Sequence, residues 1–109
     1  GEKVATVVSV RSLERDPERG STPQLAEGEL VEIGGGGLTF DPADPEVGIF
    51  LMPEDQSGEE IRVAIYGHVG TKRVLFKAPA APHGRYYLVV RTRPTGARVR
   101  EGTRKAVEY

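Results

Sequence analysis

Apolar residues in this chain recur at every second position between turn residues, with no amphipathic helical stretch of useful length, so strands are the elements it can build. The clearest case is residues 85–93, where Tyr86, Leu88 and Val90 fall on one face and Tyr87, Val89 and Arg91 on the other. Val4-Ala5-Thr6-Val7-Val8-Ser9-Val10 is a first strand on its β-branched content, and Leu30-Val31-Glu32-Ile33 is a second. The glycines at 34–37 make a turn or bulge before a short strand, Leu38-Thr39-Phe40. Asp41-Pro42-Ala43-Asp44-Pro45 lacks two ladder donors and is a turn into Val47-Gly48-Ile49-Phe50-Leu51-Met52, which is apolar enough for burial on both faces. Ile61, Val63 and Ile65 alternate with Arg62 and Ala64 as a half-buried strand, residues 67–72 turn the chain, and Val74-Leu75-Phe76 follows. Ala78 to Gly84 is a stiff connection, and Val99 and Ala106-Val107 mark the last strands.

About seven or eight short strands, with turns roughly every 8 to 12 residues, predict an all-β fold, an immunoglobulin-like antiparallel β-sandwich. The 109 residues suffice for a single domain spanning residues 1–109 with its own core. Because the chain opens on Gly1 and not Met, it is expected to be a C-terminal fragment of a longer protein. Residues 11–24, among them Pro17, Glu18, Arg19, Gly20 and Ser21, carry no pattern and form a solvated loop, expected to be the most mobile segment.

The formal net charge of −1 hides a bipolar chain: residues 1–60 hold 4 Lys/Arg against 14 Asp/Glu, and residues 61–109 hold 11 against 2. Such a split suits either an anion-binding face or acidic strands lying beside basic ones. Lys72, Arg73, Arg91, Arg93, Arg98 and Arg100 are the candidate nucleic-acid-binding residues, with Arg104 and Lys105 beyond them. Arg91 and Arg93 share a strand face, and Arg98 and Arg100 are expected opposite them across the Pro94 turn. Against a nucleic-acid role stand the acidic first half and the lack of interleaved exposed aromatics, so charge matching within the molecule is the larger expectation.

Catalysis finds little to work with. There is no Cys, which removes disulfides, thiolate metal sites and a thiol nucleophile, and no Ser lies in a Gly-x-Ser-x-Gly elbow. The glycine run precedes a β-prone segment where a phosphate loop needs a helix. His68 and His83 occupy turns without metal-ligand spacing, and Asp41-x-x-Asp44 lacks the rest of a calcium loop. No catalytic residue, no metal site and no cofactor is therefore expected, and no apolar stretch approaches the roughly 20 residues of a membrane span. Tyr86, two residues after Gly84 at the start of a long strand, fits a tyrosine corner whose hydroxyl bonds an upstream backbone group; Tyr66 and Tyr87 are possible surface contacts.

Leu30-Val31-Glu32-Ile33-Gly34, Leu38-Thr39-Phe40, Asp44-Pro45-Glu46-Val47-Gly48-Ile49-Phe50 and Gly84-Arg85-Tyr86-Tyr87-Leu88-Val89-Val90-Arg91-Thr92 occur in this order, and residues 7–109 as a whole resemble one family. It is the Ig-like domain of unknown function found C-terminal to bacterial HU-like DNA-binding domains. Where that family commonly carries a Leu-Lys-Glu-Pro-Arg-Thr-like stretch, this chain has Val99-Arg100-Glu101-Gly102-Thr103-Arg104, and Gly102 in place of Pro is expected to loosen the turn. The resemblance implies a non-catalytic accessory domain of a cytoplasmic, nucleoid-associated protein. DNA would be met through an N-terminal HU-like domain that lies outside this sequence, and the Ig-like domain would serve protein contact, self-association or auxiliary phosphate contact. An extracytoplasmic carbohydrate-binding or adhesive sandwich is the alternative.

Overall fold

The computed structural model describes residues 3–16 and 22–109; Pro17 to Ser21, within the loop expected to be most mobile, lie outside the described residues. Among the described residues there are nine strands, β1 (Thr6–Ser12), β2 (Leu30–Gly36), β3 (Gly48–Pro53), β4 (Ile61–Arg62), β5 (Tyr66–Val69), β6 (Arg73–Lys77), β7 (Arg85–Thr92), β8 (Arg100–Glu101) and β9 (Lys105–Glu108). Sheet one has the order β1-β2-β6-β5; sheet two runs β4-β3-β7, with β8 and β9 both on the far side of β7. All these pairings are antiparallel, and the two sheets form the expected Ig-like sandwich.

The period of two fixes what fills it. Val31 and Ile33 lie opposite Phe76 and Val74 in sheet one, and Ile49 and Leu51 lie opposite Val90 and Leu88 in sheet two; all eight are fully buried in one core cluster. Sheet two also buries residues on its other face. Phe50 and Val89 are register partners that belong to no part of that cluster yet are almost fully covered, in part by the Arg91 guanidinium 4.2 Å from the Phe50 ring centroid. β3 is thus buried on both faces, as its composition predicts.

Three local expectations change. The glycines extend β2 to Gly36, and the bulge lies in the partner strand, where Val7 pairs Gly35 and Ser9 pairs Gly34, leaving Val8 over. Leu38 and Phe40 are buried but lie in a non-strand connection. Residues 61–69 hold two strands on different sheets: β4 pairs β3, the chain crosses over at residues 63–65, and β5 pairs β6. Ile65 consequently sits at the crossing, 60% exposed, where an unbroken strand would have buried it.

Tyr66 secures that crossing. Once β4 has left the edge of β3, the Ile49 N–H has no ladder partner on that side; it donates to the Tyr66 Oη at 2.9 Å, and the ring packs edge-on against Phe40 at 5.0 Å. At the opposite end, the Tyr86 hydroxyl donates to the Pro82 carbonyl at 2.6 Å, the tyrosine corner expected from its position. Tyr86→Phe is expected to cost about 1 kcal/mol, read as a lower urea midpoint at unchanged slope. An unchanged midpoint would show that the corner bond adds no stability.

The turn between β8 and β9 is tight, correcting the loosening expected from Gly102. Gly102 N–H donates to the Val90 carbonyl at 2.9 Å, Thr103 N–H donates to the Ala5 carbonyl at 3.1 Å, and Val7 N–H donates to Thr103 Oγ1 at 3.0 Å. A segment of sheet two thereby satisfies backbone groups flanking and within β1 of sheet one.

Candidate functional site

The candidate cations occupy two places. Lys72 and Arg73 lie at the hairpin joining β5 to β6 in sheet one, whereas Arg91, Arg93, Arg98 and Arg100 belong to the end of β7, the following turn and β8 in sheet two. The expected ladder of arginines across the Pro94 turn is absent. Register sets Arg91 opposite Glu101 and Thr92 opposite Arg100, so the cross-strand neighbour of Arg91 is an acid.

Most of these guanidiniums are held by carboxylates from the acidic half. Arg91 reaches both Glu60 oxygens, with Nη1 at 2.9 Å and Nη2 at 2.7 Å, while its Nε lies 3.3 Å from Glu101. Arg93 donates through Nε to Asp44 at 2.8 Å, through Nη2 to Glu46 at 3.1 Å and through Nη1 to the Ala97 carbonyl at 2.8 Å. Arg73 donates to Glu32 at 2.6 Å, and Arg11 lies 3.4 Å from the other oxygen of that carboxylate. Lys72 is exposed and makes no ion pair among the described residues, while Arg98 and Arg100 have partners within the chain. The charge split is thus largely folded back on itself, acidic segments against basic ones.

Protonation follows these contacts. The Arg73 hydrogen bond holds the Glu32 carboxyl below its ordinary range, Arg91 does the same for Glu60, and Arg93, helped by the Glu46 N–H, does so for Asp44. The hydrogen bonds that Arg91 donates to Glu60 push Arg91 up, and the one that Arg93 donates to Asp44 pushes Arg93 up.

The carboxylates considered for calcium cap turns instead: Asp41 Oδ1 accepts the Ala43 N–H at 2.9 Å and Asp44 Oδ1 the Glu46 N–H at 3.0 Å. Among the described residues, no group of three or more His, Cys, Asp and Glu side chains comes together as a metal site. Arg62, which sequence reasoning passed over, binds the same loop from inside, donating to the carbonyls of Val47 at 3.0 Å, Asp44 at 3.1 Å and Pro42 at 3.2 Å. Nothing local announces that role, since it depends on β4 lying beside β3. Of the tyrosines considered as surface contacts, Tyr66 is half-buried with its hydroxyl engaged, and Tyr87 is half-buried with the Arg104 guanidinium 5.6 Å from its ring centroid.

Residues 10–106 match the family model described as a domain of unknown function (DUF4469) with IG-like fold. The chain belongs to that family. Among solved structures, this DUF4469 domain is similar to a protein from Bacteroides vulgatus ATCC 8482 provisionally described as a bacterial DNA binding protein, with a TM-score of 0.72 and 17% identity. The alignment covers 99% of this chain and 47% of that one, so the domain spans about half the length of that protein, and the likeness is one of fold. No curated protein matches the chain significantly. Family and fold describe an Ig-like domain of unknown function, and among the described residues no helix is long and apolar enough to cross a membrane.

Proposed function

We propose that this domain is the accessory Ig-like part of a cytoplasmic, HU-like, nucleoid-associated protein of bacteria. In that reading the HU-like module precedes Gly1 and supplies the main DNA contact, while the sandwich adds a protein contact, self-association or an auxiliary contact with DNA phosphates. The supporting observation is the alignment of nearly the whole domain with about half of a longer bacterial protein described as DNA-binding. The candidate set Lys72, Arg73, Arg91, Arg93, Arg98 and Arg100 is where an auxiliary phosphate contact is first to be sought. No cofactor or metal enters this function.

The coding sequence upstream of Gly1 tests the reading. An HU-like module there, together with nuclease-sensitive co-sedimentation of the full-length protein with the nucleoid, is the expected result. A signal peptide in its place would overturn it in favour of an extracytoplasmic carbohydrate-binding or adhesive module.

A further inference from the structure

The outward faces of the two sheets differ in charge. On sheet two, four surface arginines stand among acids: Arg91 with Glu60 and Glu101, Arg93 with Asp44 and Glu46, Arg104 with Glu101, and Arg85 near Glu54 and Glu108. On sheet one, alternation turns Arg11 of β1, Glu32 of β2, and Arg73 and Lys77 of β6 outward, since Val10, Val31, Ile33, Val74 and Phe76 between them are buried. Glu32 is shared by Arg11 and Arg73, and Lys77 makes no ion pair among the described residues. Two cations therefore hold one carboxylate, and a third, Lys77, shares their face. The side chains of Arg11 and Arg73 remain 54% and 53% exposed, leaving guanidinium surface open to a further acceptor.

A second observation belongs to the same face. Gly36 ends β2, has no left-handed φ, and a Cβ built on it would meet nothing within 4 Å. Packing inside the molecule gives no reason for the missing side chain, unlike Gly35, whose Cβ would run into the Thr6 backbone. A strand glycine without internal cause leaves room for a close approach from outside.

We propose that the outward face of sheet one, carried by Arg11, Arg73 and Lys77 and opened at Gly36, is the surface on which this domain meets the phosphate backbone of duplex DNA. The proposal rests on the DNA-associated reading above and narrows its auxiliary contact to one face. Phosphate oxygens compete with the Glu32 carboxylate for Arg11 and Arg73, which already converge on a single oxyanion. Lys77, lower on the same strand as Arg73, takes a neighbouring phosphate. A sheet face with no helix among the described residues to enter a groove gives contact without base readout.

The test is fluorescence anisotropy of a labelled duplex against the 109-residue chain. With about two to three phosphates neutralised, affinity falls roughly 10- to 40-fold between about 50 and 200 mM salt. Arg11→Gln with Lys77→Gln reduces the logarithmic salt slope to about −1 or shallower, whereas the charge-matched control Arg85→Gln with Arg104→Gln leaves it unchanged. Gly36→Val weakens binding by about fivefold, the worth of roughly one lost hydrogen bond, with no fall in the urea midpoint. Equal losses from the face variant and the control would mean attraction to net charge alone and would overturn the face. Loss confined to Arg91→Ala with Arg93→Ala would move the contact to sheet two, overturning this face while leaving an auxiliary DNA contact standing. No duplex binding at low salt, or equal binding of a labelled poly-glutamate, would overturn the DNA partner and with it the phosphate-contact part of the functional reading.

Discussion

Gly102→Ala is expected to destabilise the domain by about 2–3 kcal/mol, one of the two largest single-residue effects foreseen here. A Cβ at this position would stand 2.1 Å from the Ala5 carbonyl oxygen and 2.8 Å from the Ala5 carbonyl carbon, and those atoms are backbone with little room to retreat. Backing away would stretch the Thr103 to Ala5 and Val7 to Thr103 bonds, through which the β8–β9 turn serves the first strand region of the other sheet. Urea unfolding checks this: the midpoint falls at unchanged slope. Gly36→Ala, with open space around its Cβ, serves as the neutral comparison. If both variants unfolded at the wild-type midpoint, the contact between this turn and Ala5 would not be as tight as described.

Gly48→Ala is expected to cost about 3 kcal/mol, for two separable reasons. The residue has φ +123°, a conformation that L side chains rarely adopt, and its Cβ would lie 2.7 Å from the Tyr66 hydroxyl. Relieving the clash moves the hydroxyl that accepts the Ile49 N–H, and with it the ring packed on Phe40. The double variant Gly48→Ala with Tyr66→Phe should therefore cost less than the sum of the singles, because removing the hydroxyl removes that clash and leaves the backbone strain and a lesser approach to Arg62 Nη2 at 3.3 Å. Strict additivity in denaturant unfolding would argue that Tyr66 does not press on Gly48.

Much of the fold was legible because alternation is a local signal. The strand at residues 85–93 shows its two faces in its own letters, and the tyrosine corner shows in the spacing of Gly84 and Tyr86. The crossing at residues 63–65 was not legible, since a chain that changes sheets can keep its period of two while its hydrogen-bond partners change. Leu38 and Phe40 mislead for a related reason: burial alone requires apolar residues, and they are buried without joining a ladder. The candidate site was legible as composition and illegible as pairing. The charge split showed that acids could meet bases, but only the register of β7 with β8 puts Glu101, and not an arginine, across from Arg91. Arg11 escaped notice because residues 11–24 read as a loop whereas β1 runs on to Ser12, and Lys77, 66 positions away, comes to share its face only through β2.

The pairing of the acidic half with the basic half inside one molecule has a consequence for pH. Glu32, Glu60 and Asp44 have folded values below the ordinary 4.5, 4.5 and 3.8 of their types, so the folded state binds fewer protons than the unfolded one in that range. Their contribution is present above those ordinary values and is lost as pH falls through the lower, folded ones. Side-chain carboxyl NMR titration of these three residues, repeated on dilution, reads the pairing residue by residue. Midpoints below the ordinary values that do not move with protein concentration, and that rise for Asp44 in Arg93→Gln and for Glu60 in Arg91→Gln, are the expected result. Midpoints at the ordinary values, or depressed only in concentrated samples, would mean that the opposite charges do not meet within one chain.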